Sequence, residues 1–344
     1  MSTDTNGQAG ETRQLEAHRR ALLIACEQRT PEARVLAQLY FDSIYFREDQ
    51  IRDSQARTFR WIIEDLDGME SENDQGYVPE REPPIHTKTR QYFQTWLAQG
   101  AGVLHVSGKA GSGKSTLMKL VSTHKRTQEK LNEWAGDKKL VFARFFAWKG
   151  GQSGLQNSLE GLYRSILFGV LRACPRLIPS VFPDAISSFQ TTPTSTYHDK
   201  PFFRPALLHQ ALERLINDMP KQGYRFCIFI DGLDEFQNNR TSGQDHATLA
   251  ALLNQWGENP NVKLLVSSRP HAEFTSIFSE NKQLTLHKLN YCDILDYGHD
   301  VFRRCLPETA SLRDYYPLAS RVADLSSGVF LWAHLVFLKL QGEV

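Results

Sequence analysis

The chain has 344 residues, 41% of them apolar and 23% charged, with a formal net charge of +1. This length supports roughly two domains with buried cores, and the balanced charge excludes a global field that would recruit nucleic acid or an anionic membrane. The five cysteines (Cys26, Cys174, Cys227, Cys292 and Cys305) are scattered without a C-x-x-C pair, which argues against a disulfide framework or a zinc site and suits a reducing compartment.

The first residues, MSTDTNGQAGETRQ, lack the apolar core of a signal peptide. The longest apolar run, from Gly328 to Leu340, is broken by His334 and Lys339 and is too short to span a bilayer. The expectation is a soluble, cytoplasmic protein. Residues 1–12 are small and polar and read as disordered. From Arg13 to about Phe46, leucines and valines recur near helical spacing, with a break at Thr30-Pro31. Tyr45 to Asp67 reads as one or two amphipathic helices through Ile51, Phe59, Trp61, Ile62, Ile63 and Leu66. On pattern alone Arg47-Glu48 within it is a solvated helix start. Gly68 to Pro84 is rich in Gly, Pro, Glu and Asp and reads as an exposed linker. A helix follows from about Thr87 to Ala98, stopped by Gly100.

The stretch from Val103 to Leu120, VLHVSGKAGSGKSTLMKL, organises the rest. It runs as an apolar strand, a glycine loop and a helix. Gly108, Gly113, Lys114 and Ser115 match G-x-x-x-x-G-K-[ST], a phosphate-binding loop. Glycines let the backbone turn several N–H groups inward as an anion nest, and the helix start adds its dipole and its free N–H groups. The nucleotide-contacting run is Gly108, Lys109, Ala110, Gly111, Ser112, Gly113, Lys114, Ser115 and Thr116. Lys114 supplies charge to the terminal phosphates, and the Ser115 hydroxyl ligates Mg²⁺.

Beyond the loop, Thr123 to Lys139 is charged, with Glu129, Glu133 and Asp137 interleaving the lysines, and reads as a solvated helix end and loop. Leu140 to Trp148 is an apolar run of strand length. Ser158 to Cys174 is an amphipathic helix, Pro183 to Pro201 a Ser/Thr/Pro-rich surface insertion, and Ala206 to Met219 another helix. In RFCIFIDGLDEF (Arg225 to Phe236), four apolar residues meet Asp231. A carboxylate at the C-terminal end of a buried strand faces the ligand edge of a parallel sheet, so Asp231 is expected to hold Mg²⁺ opposite Ser115. Glu235 is the first choice for orienting or deprotonating the attacking water, with Asp234 its competitor. Thr248 to Trp256 is a short helix. Val262 to Ser268 is a strand delivering Arg269, placed to contact a γ-phosphate. Gln283 to Leu289 alternates as an outer strand, and three helices follow over 294–305, 317–325 and 329–340.

Strands alternating with helices predict an α/β fold, a P-loop NTPase with a five-stranded parallel sheet. The strand ending at Arg269 is expected between those carrying Gly108 and Asp231. An N-terminal helical segment and a C-terminal helical subdomain complete the chain. The expected divisions are 1–40 (disordered start and helical prefix), 41–84 (helical segment and linker), 85–288 (NTPase core) and 289–344 (the start of a helical domain).

The motif order GKAGSGKST, ARFFAW, FIDGLDE, LLVSSRP and SSGVFLWA resembles the NACHT-type nucleotide-binding domains of fungal proteins. These belong to the STAND class of signal-transducing ATPases, are akin to nucleotide-binding innate-immunity receptors, and are nephrocystin-3-like in their N-terminal region. The likeness covers roughly residues 41 to 344. It implies a switch between an ADP-bound resting state and an ATP-bound state that self-associates through the NTPase domain. It further implies Lys114 and Ser115 on phosphate and Mg²⁺, Asp231 on Mg²⁺, Arg269 as sensor and Asp234-Glu235 as the water-activating pair. The family's Arg-Glu motif upstream of the loop raises Arg47 to a nucleotide-edge residue. The chain departs from the related receptors' G-x-P motif, having Gly328-Val329-Phe330 at the matching place. Against the family's plan, the sequence to Val344 is expected to represent either a fragment or a minimal member without the winged-helix and repeat domains. The competing readings are a GTP-specific switch, weakened because no N-K-x-D type motif occurs, and a non-catalytic scaffold stabilised by nucleotide. A DNA-handling ATPase is disfavoured by the charge balance.

Overall fold

The computed structural model describes residues 30–54, 58–64, 83–151, 154–191, 203–237, 245–278, 282–305 and 312–341. The expectations for residues 1–29, for the linker over 68–82 and for residues 192–201 lie outside these.

Five strands form one sheet: β1 (Gly102–Ser107), β2 (Lys139–Phe146), β3 (Tyr224–Asp231), β4 (Val262–Ser268) and β5 (Gln283–Thr285), in the spatial order β2-β3-β4-β1-β5. β1 runs parallel to β4, with Gly102 opposite Lys263 and Ser107 opposite Ser268. It also runs parallel to β5, with His105 opposite Gln283. β4 therefore separates the loop-bearing strand from the strand ending in Asp231, as the motif order predicts. A strand flanked by neighbours and covered on both faces is largely apolar. The runs Cys227–Ile230 and Leu264–Val266 are, and both are buried. β2 at the edge is only partly buried. β5 is shorter than predicted: at Leu286 the chain leaves the strand for a turn of 3₁₀ helix, which keeps Leu286 buried.

The described residues pack into two compact units, the first drawn from 1–50 and 137–228 and the second from 51–136 and 229–344. In the first unit, the expected break at Thr30-Pro31 is a helix start. The Thr30 hydroxyl accepts from Ala33 N (3.2 Å), and Pro31 opens the helix Pro31–Leu39. The helix Leu159–Ala173 is capped by Ser158 and buries Leu162, Ile166, Leu167 and Val170. The predicted surface insertion does not begin at Pro183: Pro183–Thr191 is a helix with Ala185, Ile186 and Phe189 buried. Arg34 fixes it, donating to Phe189 O at 3.0 Å and lying 4.2 Å from the Phe189 ring centre.

In the second unit, the charged stretch expected as a solvated helix end and loop contains a helix of its own, Lys125–Ala135. Its Thr127, Leu131, Trp134 and Ala135 make one buried face, an i, i+4, i+7 stripe that the surrounding lysines and glutamates obscure in composition. The helix packs against Pro84–Gln99. Between them Lys263 of β4 is fully buried. Its ammonium donates to Trp96 O (2.6 Å) and to Leu97 O, and lies 4.5 Å from the Trp134 ring centre. A cation at the C-terminal carbonyls of a helix is favoured by their partial negative charge. The helices Tyr291–Cys305, Leu312–Ser326 and Phe330–Gln341 close around Ile294, Val301, Phe302, Val322 and Phe337. Pro317 lies inside the second of these rather than at its start, where it has no N–H to give to the helix. The last helix leaves Leu331, Trp332, Leu335 and Leu338 exposed, in keeping with its all-round apolar sequence. Among the described residues no helix is long and apolar enough to cross a membrane.

Candidate functional site

The loop between β1 and the helix Lys114–Thr123 has the backbone its glycines allow. Gly111 and Gly113 have φ of +72° and +90°, a region that side chains disfavour. Gly108 N donates to Ser268 O (3.1 Å) and Ser112 N to Lys109 O (3.2 Å), which ties the loop to β4 and to itself. A Cβ at Gly108 would lie 2.5 Å from the Ser112 hydroxyl, so the first glycine is required by the close fold of the loop. Helix geometry leaves the N–H groups of the first turn, at Lys114, Ser115 and Thr116, directed out of the helix end. Lys114 curls back over the loop, donating to Gly108 O (2.8 Å) and Lys109 O (3.1 Å). Burial pushes its pKa down, against the opposing pull of Asp234, Asp231 and Glu235, with Arg269 adding to the fall. All four charged groups thus act on one ammonium.

Asp231 ends β3, buried, and accepts a short hydrogen bond from the Ser267 hydroxyl. The same hydroxyl accepts from Gly232 N at 3.1 Å, so Ser267 fixes both the carboxylate and the turn that follows. Gly232 takes φ +79° and starts the 3₁₀ turn Leu233–Glu235. Within that turn the acidic pair divides. Asp234 accepts from Arg269 N (2.9 Å) with one oxygen and pairs with Arg269 Nε (3.0 Å) through the other. Glu235 is half-buried.

Behind Arg269, Ser268 Oγ donates to Arg269 O (2.7 Å) and stands 2.8 Å from His105 Nε2. Because that hydroxyl proton is committed, His105 must donate, which makes it the neutral Nε2–H tautomer. Its pKa is lowered to about 4, first by burial and then by the Lys114 charge, with Asp234 opposing. Sequence reasoning missed Ser267, Ser268 and His105. The one signal was polar residues inside or ending otherwise apolar strands.

The second unit thus gathers Gly108 to Thr116, Asp231, Asp234, Glu235 and Arg269. Arg47 belongs to the first unit, on the helix Phe46–Gln50, with its guanidinium 5.8 Å from the Trp148 ring centre. Its neighbour Glu48 pairs with Arg144 at 2.8 Å.

A parallel sheet with a phosphate loop after one strand, an aspartate ending the next strand but one, and helices on the connections defines a P-loop NTPase fold. The model of the family described as Nephrocystin 3, N-terminal, matches residues 87–269, more than half of the chain, and the chain belongs to that family. No curated protein matches it. Among solved structures it is similar to the Aeropyrum pernix ORC2 protein in its ADP form, with 16% identity and TM-score 0.36 over 76% of this chain and 63% of that one. It is also similar to Drosophila ORC bound to DNA (15%, TM-score 0.41, 85% and 65%) and to Cdc6p from Pyrobaculum aerophilum (13%, TM-score 0.35, 77% and 63%). The chain spans less than two thirds of the length of each of these structures.

Proposed function

We propose that this protein is an ATP/ADP-binding signalling switch of the NACHT type, with slow Mg²⁺-dependent hydrolysis of the triphosphate. One observation carries the reading: the Lys114 ammonium, bonded to two carbonyls of a glycine loop, sits within the fields of Asp231, Asp234, Glu235 and Arg269. A cation at the mouth of an N–H-lined loop, beside carboxylates at a strand end, is the charge pattern that a magnesium-bound polyphosphate requires. Residues 85–288 act as the NTPase core and residues from 289 onward as the helical domain that responds to it. The acting form is cytoplasmic and self-associates through the NTPase domain in its triphosphate state.

The donor set fits magnesium. Ser115 offers a hydroxyl at the helix start and Asp231 a carboxylate, both oxygen ligands, and Mg²⁺ takes few protein ligands and completes its shell with water and phosphate oxygen. When bound, the ion supplies charge neutralisation at the phosphates. The protein's own residues do the rest. Lys114 exchanges its two loop carbonyls for phosphate oxygens. Ser267 keeps Asp231 oriented. Arg269, steered by Asp234, reports on the terminal phosphate. With both Asp234 oxygens engaged by Arg269, the water-activating role falls to Glu235.

The test is calorimetric titration of the purified chain with Mg-ATP, ADP and Mg-GTP, with Lys114→Ala alongside. Tight adenine-nucleotide binding that the variant loses supports the reading. Equal affinity in the variant removes the site assignment, and preference for Mg-GTP turns the adenine switch into a guanine one.

A further inference from the structure

The phosphate loop is held from outside by residues that its motif does not include. Asn290, fully buried, directly precedes the helix Tyr291–Cys305 and accepts from Ile294 N through its carbonyl. Its side-chain amide donates twice, to Ser112 O at 2.7 Å and to Gly328 O at 3.0 Å. A trans peptide directs its C=O and N–H in opposite senses, so holding Ser112 O outward aims the Gly113 N–H into the loop. A primary amide presents two donors to two carbonyls without carrying a charge into this buried position. The Gly328 carbonyl belongs to a tight turn, Ser327 and Gly328 having φ of +48° and +77°. A Cβ at Gly328 would sit 1.7 Å from His287 O. From this turn the chain returns to the loop. Leu331 N donates to Gly111 O (2.9 Å), Lys109 Nζ donates to Ser327 O (3.1 Å), and Leu331 and Val329 cover the open face of Gly111.

One turn further along the same helix, Asp293 accepts from Phe59 N (2.9 Å) and from Trp61 Nε1 (2.8 Å). Phe59 is held at φ +63°, a strained conformation for a residue with a side chain. The strain seats its ring on Gly113, where an added Cβ would lie 2.5 Å from Phe59 Cζ. One helix turn, Asn290 to Asp293, therefore holds Ser112 through its carbonyl and Gly113 through the Phe59 ring.

We propose that Asn290 is a positioning residue that couples phosphate occupancy of the loop to the helical segment 290–341, with Asp293 seating Phe59 as the second prong of the same clamp. This inference rests on the nucleotide reading above and deepens it by naming its regulation. Asn290 ties the loop carbonyl to the Gly328 turn, so a phosphate that orders the Gly113 N–H also orders the turn and the first turn of the last helix. Because coupling is reciprocal, a partner that pulls on the last helix changes nucleotide affinity by the same factor.

The experiment compares the wild-type chain with Asn290→Leu and Asn290→Asp, reading ADP affinity by calorimetry and amide hydrogen exchange over residues 326–334 with and without ADP. In the wild type, ADP slows exchange over 326–334. Asn290→Leu keeps the shape, loses both donors, binds ADP about tenfold more weakly, and no longer transmits protection to 326–334. Asn290→Asp, which sets a carboxylate against two carbonyls, is weaker again. Variants with wild-type affinity and wild-type protection overturn the inference and leave the nucleotide reading standing. A wild-type chain that binds neither ADP nor Mg-ATP overturns both. If the variants do not fold, the wild type decides alone: ADP binding without any change over 326–334 refutes the coupling.

Discussion

Asp293 and His105 are both buried, and they respond to pH in opposite senses. Burial raises the Asp293 carboxyl from 3.8 to about 7, the hydrogen bonds from Phe59 and Trp61 pulling the other way and Asp296 adding to the rise. A carboxyl that holds its proton more tightly in the folded state contributes its full stability below the unfolded value of 3.8 and loses it as pH climbs to about 7. Between pH 5 and pH 8 the loss is about 3 kcal/mol. His105 is lowered from 6.5 to about 4, so its contribution is full above 6.5 and is lost as pH falls toward 4. Over the same window it gains about 2 kcal/mol with rising pH. Each group masks the other in the wild type, and Asp293→Asn removes one of them. We expect urea-unfolding measurements at pH 5, 6, 7 and 8 to show the wild type losing about 3 kcal/mol relative to Asp293→Asn from the lowest pH to the highest. The variant itself becomes more stable with rising pH, because His287 and His299 are also lowered by burial. A difference between wild type and variant that does not change with pH refutes the argument that burial governs Asp293.

Lys114→Ala removes a charge-assisted contact to phosphate worth about 1.5–3 kcal/mol per bond, so Mg-ATP affinity falls on the order of a hundredfold while the far-ultraviolet circular dichroism is retained; a Kd within twofold of wild type contradicts this. Glu235→Gln keeps nucleotide binding and suppresses turnover by about a hundredfold or more, read as phosphate release, and undiminished turnover removes Glu235 from the reaction. Ser267→Ala frees the buried Asp231 carboxylate from its fixed donor. The magnesium concentration needed for half-maximal ATP binding then rises severalfold, about 1 kcal/mol, while magnesium-free ADP binding is unchanged.

The strands were legible because apolar runs punctuated by glycine, proline or a charge dictate where a buried parallel strand starts and stops; β1, β3 and β4 fall within two residues of the expectation. The helix Lys125–Ala135 was not legible, because its buried face is four residues set among charged ones, and a composition argument weighs the surface of a helix more heavily than its core stripe. The start of the Pro183 stretch was misread for a related reason: prolines and serines signal loops unless a distant partner, here Arg34, is there to bury the aromatic between them. In the site, the motif singled out Gly108, Gly113, Lys114 and Ser115, and the strand end singled out Asp231, because these residue types recur at a defined spacing. The sequence ranked Glu235 above Asp234 but did not show the contact that distinguishes Asp234, because its partner Arg269 lies 35 residues away. His105 and Asn290 were invisible for the same reason, their partners lying 163 and 178 residues along the chain.

Lys263 provides the protein with its own opening gauge. Its amine is sealed between the last carbonyls of Pro84–Gln99 and two indole rings, so an amine-acylating reagent modifies the surface lysines of the folded chain and leaves this one intact. It becomes reactive when β4 parts from that helix. Mass spectrometry of a timed acylation therefore follows the opening of the sheet centre at a single native residue, and adding nucleotide to the same reaction tells whether filling the loop at one end of β1 tightens the packing at the other.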